Sequence, residues 1–381
     1  MKIVHLELAG FYNENTTYQT NLLAACNLAD GHTVTIVSSP FHWEKAQTVY
    51  IPTCDQIVEN GIRLIRLPYR NTSKCYSHQK MRAVVGLYET LERLQPDVIM
   101  CHGLQFWSVR DVIRYKKDYP AVKLYADTHA DYYTSGTNWL SLHILHRIFY
   151  RRLVRAALPY LEKFFYTTVE TRRFAVENYG VPEALMEFYP LGGIPPTEEA
   201  YQTHRAARRA ELGLQPGELL LVHAGKLEPQ KKTDALLRAF AAVPELRARL
   251  AVIGSIPEET KAALTTLMDV DPRVTYLGWK SGADLQEYLC AADLYCQPGK
   301  VSAIMQNAVC CRCPVMLYPH PDYVEGYDYG NILWEKNEEE MSQIFRQLAS
   351  GKVDLPSLQS GSERCAEELL DYRTLAARLY R

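Results

Sequence analysis

Short runs of apolar and β-branched residues alternate along this chain with longer stretches whose apolar positions recur every three or four residues. "KIVHLELAG", "TVTIVSS", "IRLIRLPY", "DVIMCHG" and "VKLYADTH" predict strands. "YQTNLLAACNLADGH" and "RAVVGLYETLERL" predict helices between them, the first with Leu22, Leu23, Cys26 and Leu28 near one face. Strand-helix-strand rhythm of this kind predicts a parallel, doubly wound sheet. Ligands of such sheets bind beyond the carboxyl ends of the strands, which singles out Gly10, His102–Gly103 and Asp127–His129.

The stretch "LHILHRIFYRRLVRAALPYLEKFFY" is helical in pattern, with Arg147, Arg151, Arg152 and Arg155 recurring among large apolar residues. A solvated face above a buried one explains this, as does a cationic face meeting anionic lipid headgroups. "FFYTTVETRRFAVENYG" then reads as a strand and a helix ending at Gly180. "YPLGGIPPTEEA" gathers two glycines and three prolines and predicts a linker. After it the alternation restarts. "LLLVHAG", "LRARLAVIG", "RVTYLGW", "ADLYCQPG" and "PVMLY" predict strands, "TDALLRAFAAV" a helix, and "SERCAEELLDYRTLAARLYR" a terminal helix with Leu369, Leu370, Leu375 and Leu379 as core positions. The predicted architecture is α/β, two doubly wound parallel-sheet domains. Residues 1–192 with a returning helix at about 367–381 form the first domain, and 193–366 form the second. Two such domains predict a cleft, the usual place for a ligand.

Composition changes this picture little. At 381 residues the chain is long for one core, since domains run to about 100–200 residues. A net charge of −2 gives no global attraction to nucleic acid. No apolar run reaches the ~18 residues of a membrane span, and the N-terminus lacks a signal peptide's long apolar region. A cytoplasmic protein is expected, with peripheral contact at the inner membrane face as an option. "CCRC" at 310–313 invites a metal reading, but it is too compressed for four tetrahedral ligands. Reduced, buried thiols are the expected state of Cys310, Cys311 and Cys313.

The strongest local chemistry is "HAGKLEPQKKTDALLRAF". A strand ends at Gly225, where the chain turns closely. Lys226 follows at once, and Lys231 and Lys232 come just before a helix. Cations at a strand exit beside a helix N-terminus suit a diphosphate. A plain solvated basic loop has the same composition. His129 lies at another strand exit between Asp127 and Asp131, either of which could fix its tautomer, and a structural capping role is the alternative.

These segments resemble a known family. "G-[RK]-L-x3-K-x-x-[DS]-x-L-[IL]-x-A-F" at Gly225–Phe240 is similar to the donor-binding segment of family-four glycosyltransferases of the GT-B fold. "VTYLGWKSGADLQEYLCAADLYCQP", "GHTVTIVSS", "PDVIMCHG" and "LDYRTLAARLY" resemble further pieces of it in order and spacing. The resemblance implies two domains facing a cleft. It also implies retaining transfer of a sugar from a nucleotide-diphosphate sugar, a UDP-sugar above others, to a glycan or glycolipid acceptor in cell-surface polysaccharide or glycoconjugate biosynthesis. No metal and no other cofactor is implied. By the same resemblance Lys226 and Lys231 meet the donor phosphates, Leu277, Gly278 and Trp279 hold the base, and His129 contacts the transferred sugar. Gly10, Tyr18, Gln19 and His102 fall on the acceptor side.

Three positions depart from the family. It carries Gly where Lys232 stands, and a pair of glutamates where this chain has Gly299 and Asn307. Asn307 can still hydrogen-bond a ribose diol. Lys300 adds a cation, and Val301, Ser302, Ala303 and Ile304 are expected to offer backbone N–H groups at a helix start, with the Ser302 hydroxyl beside them. The missing glutamates leave a second reading, a catalytically inactive nucleotide- or glycan-binding protein that acts with a partner.

Overall fold

The computed structural model describes every residue except 15, 45–46, 59–60, 71–79 and 325, and gives only the backbone of 43, 44, 47, 48 and 324. The chain divides into two compact units, 1–190 with 375–381, and 191–374.

The first unit is built on strands β1 (Lys2–Glu7), β2 (Thr33–Ser38), β5 (Cys54–Ile57), β6 (Arg63–Arg66), β7 (Val98–His102), β8 (Lys123–Thr128), β9 (Lys163–Tyr166) and β10 (Met186–Phe188). They lie in the order β10-β9-β8-β7-β1-β2-β6-β5, and a hairpin of β3 (Phe41–Glu44) and β4 (Gln47–Tyr50) stands apart. All neighbours pair in parallel except β5, which runs antiparallel to β6. Parallel strands need long crossovers, so helices cover both faces and the central strands read as near-continuous apolar runs. β7, "VIMCH", is buried at all five positions. Its core gathers Val4, Leu6, Ile99, Cys101, Phe106, Leu124, Phe164 and Phe174.

The second unit carries β11 (Leu219–Ala224), β12 (Ala248–Ile253), β13 (Val274–Gly278), β14 (Leu294–Gln297), β15 (Val315–Leu317) and β16 (Ile332–Trp334). The order β13-β12-β11-β14-β15-β16 is parallel throughout. Leu221, Leu236, Phe240, Leu250, Val252, Met316 and Phe345 centre a separate core.

Two local expectations change. The helix expected over 82–94 spans only Leu87–Leu94, because Arg82 (φ 51°) and Gly86 (φ 81°) are left-handed and Val84 bridges to Tyr69. The terminal helix is interrupted at Asp371, where the chain turns extended and the carboxylate accepts from the Arg373 N–H and guanidinium. Beside that break Gly193 pairs with the chain at 370–372, so the two segments of the second unit nearest its ends are hydrogen-bonded together. The edge strands β5, β10 and β16 are too short for their pattern to separate them from loops.

The three clustered cysteines are core. Cys310, Cys311 and Cys313 are each at most 2% exposed, and burial pushes the Cys310 and Cys313 thiols up. They end the helix Ile304–Cys310 and enter β15.

Candidate active site

In the second unit the site forms at the exits of β11, β12 and β13. Gly225 (φ 136°) turns the chain off β11, and Gly254 (φ 139°) does so off β12. A Cβ on Gly254 would stand 1.7 Å from the Gly225 carbonyl oxygen, so only glycine allows these exits to touch. Gly254 donates its N–H to Gly278 O (2.8 Å), which ties in the β13 turn with Leu277 and the exposed Trp279. Gly254 was not singled out from the sequence, though its place after "LAVI" is the signal that marks Gly225 after "LVHA".

Lys231 lies in this arrangement and Lys226 at its margin. Lys226 is exposed and paired with Glu228 at 2.7 Å. Lys231 is 7% exposed, its Cε 3.5 Å from where a Gly225 Cβ would be, and its amine donates to Lys300 O at 3.3 Å. Burial, with Lys300 adding repulsion, lowers the Lys231 ammonium to about 8. The ordinary value is about 10.4, and the Glu228 carboxylate offsets the depression only in part, so an anion here would be met by a partly compensated ammonium.

Gly299 explains its own departure from the family. A Cβ there would meet Gln230 O at 2.1 Å and the Lys231 backbone at 2.7 Å. Lys300 N–H donates to that same Gln230 O at 2.8 Å. The loop carrying Lys231 therefore occupies the space a glutamate side chain would leave by. Lys232 shows the reverse case. Its φ of 54° is left-handed, the conformation for which the family's glycine is suited. Its amine sits 4.5 Å over the Tyr318 ring instead.

The helix start differs from expectation. The Ser302 N–H already donates to Tyr323 Oη (2.8 Å), and the Ile304 N–H donates to Ser302 Oγ (3.4 Å). Tyr323 Oη also accepts from Gln297 Nε2 at 2.5 Å. Ala303 is the N-cap of Ile304–Cys310, and Val301 is half-buried before it. Asn307 is exposed on the same helix, its Oδ1 3.0 Å from where a Gly193 Cβ would be, so it faces the linker segment.

In the first unit, Gly10, His102 and His129 line one cavity of about 350 Å³ with Glu7, Lys80, Arg82, His146 and Tyr150. Tyr18 and Gln19 are not among its lining residues. Tyr18 is exposed at the start of the helix Gln19–Ala29, and Gln19 is buried there with neither amide atom hydrogen-bonded. His129 is paired with Asp127 (Nε2 to Oδ2, 3.7 Å), while Asp131 turns away to accept from the Tyr133 and Thr134 N–H groups. Asp127 is fully buried and also accepts from His102 Nδ1 (2.9 Å) and the Gly103 N–H (3.0 Å). Burial alone would raise it, but His102 and His129 outweigh burial and hold the carboxyl well below the usual carboxylate range. Burial opposes charge on both histidines, and Asp127 raises each above its ordinary value. Burial pushes the Glu7 carboxyl up, and its Oε2 accepts from Thr20 at 2.6 Å. Glu7 and His5 escaped the sequence reading. Both alternate onto one side of a strand whose interior is otherwise Ile3, Val4 and Leu6, and that is the signal that could have found them.

Two family models match this chain. Residues 16–192 match the Glycosyl transferase 4-like domain, and residues 218–350 match Glycosyl transferases group 1. The chain has the GT-B fold and resembles the family-four glycosyltransferases. Curated relatives of this glycosyltransferase-like chain include the D-inositol 3-phosphate glycosyltransferase of Mycobacterium sp. (strain KMS), 34% identical over 119 residues, covering 29% of this chain and 27% of that protein. The enzyme of the same name from Nocardia farcinica is 30% identical over 141 residues, covering 34% and 31%. The chain thus spans about a third or less of the length of these relatives. Among solved structures, Anabaena HepE in complex with UDP superimposes with a TM-score of 0.68 at 14% identity, over 99% of this chain and 98% of that one. WaaG, a glycosyltransferase involved in lipopolysaccharide biosynthesis, gives 0.59 at 15% identity over 100% of both.

Proposed function

We propose that the chain moves a sugar, with retention, from a UDP-sugar to a glycan or glycolipid acceptor used in cell-surface polysaccharide or glycoconjugate assembly. The buried Lys231 amine carries this reading. It is hydrogen-bonded to a backbone carbonyl, lies beside a second lysine, and is depressed by both burial and repulsion. A diphosphate would add counter-charge beyond the partial compensation from Glu228. The binding of UDP and of UDP-glucose by HepE supports the choice of nucleotide.

In the reaction the bond from anomeric carbon to diphosphate oxygen breaks, and a bond to the acceptor oxygen forms on the same face. The departing phosphate takes the acceptor's proton. Lys226, Lys231 and Lys300 neutralise the leaving diphosphate, Gly225 lets it approach the backbone, and the chain's contribution is positioning and charge. Leu277–Trp279 hold the base; the ribose role of Asn307, which faces Gly193, and the sugar role of His129 rest on the family resemblance alone. The chemistry of these groups calls for no metal or further cofactor. The first-unit cavity, with Gly10 and His102, takes the acceptor.

The test is a panel of nucleotide sugars scored for release of nucleoside diphosphate with and without candidate acceptors. Turnover of a UDP-sugar is expected. Binding without turnover of any donor would favour the second reading, a nucleotide- or glycan-binding protein, which the absence of space for a carboxylate at Gly299 gives some ground.

We also infer contact with anionic lipid through residues 139–155. Among the described residues no helix is long and apolar enough to cross a membrane. Trp139, Leu140, Ile144 and Ile148 are all exposed, with Arg152 and Arg155 exposed on the continuing helix. Arg147 and Arg151 are held to Asn178 and to the Glu177 and Asn178 carbonyls. Apolar residues with flanking cations suit a headgroup layer. Sedimentation with phosphatidylglycerol vesicles should exceed that with phosphatidylcholine and weaken with salt. Equal sedimentation with both would overturn it.

A further inference from the structure

The inference concerns the charge on His102, and its link to the proposed reaction rests on the reading that His129 contacts the sugar. A chain of hydrogen bonds runs inward from the C-terminal segment, and each link fixes the next. Asn27 Nδ2 donates to Ala376 O (3.4 Å) and hydrogen-bonds the Tyr380 hydroxyl. The flipped amide would put Oδ1 against that carbonyl, two acceptors face to face. Asn27 Oδ1 therefore points at His5 Nε2, 2.8 Å away, and must accept its proton.

His5 is fully buried and neutral. Burial, with His102 adding to it, lowers the ring to about 3. With the proton on Nε2, its Nδ1 is a lone pair. That lone pair faces His102 Nε2 at 3.1 Å, and the two rings are nearly coplanar, at 9°, as an in-plane N–H···N bond requires. His102 Nε2 must donate. His102 Nδ1 must also donate, because its partner at 2.9 Å is the Asp127 carboxylate. Both ring nitrogens of His102 are then protonated.

We propose that His102 is a fixed imidazolium, set by the Asn27–His5 relay, and that by neutralising Asp127 it leaves His129 free to titrate. A buried charge of this kind survives only when paired and fully hydrogen-bonded. The Asp127 carboxylate meets that condition with His102, the Gly103 N–H and His129. The other groups acting on the pair are Cys101 on β7 and Glu7 on β1, both raised by burial, with Glu7 adding to the preference of His102 and His129 for a proton. Lys80, Arg82 and His146 line the cavity, and burial with those two cations lowers His146 to about 4. None of them competes with His102 for Asp127. His102 is a positioning residue here. Its charge decides whether the half-exposed ring of His129 meets Asp127 as a locked cation or as a group that can give or take a proton near neutrality.

The test is ¹⁵N NMR of the histidine rings in the full chain between pH 6 and 8.5. Both His102 nitrogens should show protonated shifts throughout, while His129 titrates inside the window. An unprotonated His102 nitrogen at pH 7.5 overturns the proposal. His5→Leu removes the acceptor and should discharge His102 and raise the His129 midpoint by about one unit. His5→Gln restores an acceptor and should return both to wild type. A His129 midpoint unmoved by His5→Leu would also overturn it, and the wild-type and His5→Gln spectra decide the matter if His5→Leu does not fold. Adding UDP-glucose tests the underlying reading separately. An unperturbed His129 signal would sink the sugar contact and leave the charge on His102 as measured.

Discussion

The lysine loop of the second unit and the histidine relay of the first are two opposite ways of handling charge. The loop draws its cations from contiguous sequence, residues 225–232, and leaves the Lys231 ammonium only partly compensated, Glu228 offsetting part of what burial and Lys300 take away. The relay draws its members from β1, β7, β8 and the helix Gln19–Ala29, and it closes its charges on one another. An open cation is suited to recruiting a charged ligand. A closed pair is suited to fixing the state of a neighbour. The difference teaches where each unit's chemistry comes from, incoming charge in one and internal order in the other.

The sharpest way to break this contrast is at Gly299. Gly299→Glu restores the family's residue but drives a side chain into Gln230 O. Overpacking of this kind costs about 1–3 kcal/mol. Donor affinity should fall by up to about a hundredfold, at the upper end of that range. Restored or improved affinity would mean that the loop moves aside and the space is not fixed. Next in size is pH. Lys231 is charged below about 8 and loses its proton above it. Nucleotide binding should therefore weaken as pH rises, by about tenfold at pH 9 if only the ammonium binds. A flat profile from pH 7 to 9 would remove Lys231 from the anion site. The smallest effect is expected at Lys232→Gly. It relieves a left-handed non-glycine residue, worth about 1–2 kcal/mol, against the extra unfolded-state entropy of glycine. Thermal unfolding should show a net gain below about 1 kcal/mol. A loss would show that the Lys232 contact with Tyr318 outweighs the strain.

The two regions also differ in how far the sequence reveals them. Gly225, Lys226 and Lys231 follow one another along a strand exit, so local pattern suffices to find them. Gly299 was visible as a departure, but its cause was not, because the obstructing atom belongs to Gln230, far away in the chain. His102 and His129 could be marked as strand exits. Asp127 could be marked as a neighbour of His129, but its bond to His102 and the partners His5 and Asn27 could not, because they meet only when β1, β7, β8 and the helix Gln19–Ala29 pack together. The strand-helix rhythm revealed both parallel sheets, while β5, β10 and β16 at the sheet edges were too short to carry a period. The break at Asp371 escaped because an unbroken apolar pattern runs across it and the interruption comes from pairing with Gly193.

The most direct test of the central claim is calorimetric titration of UDP into the wild-type chain and into Lys231→Met at pH 7. Hydrogen bonds to a charged group are worth about 1.5–3 kcal/mol, so the variant should bind about tenfold to a hundredfold more weakly while keeping its wild-type circular dichroism. Equal affinity in a folded variant would contradict the assignment of this loop to the donor diphosphate.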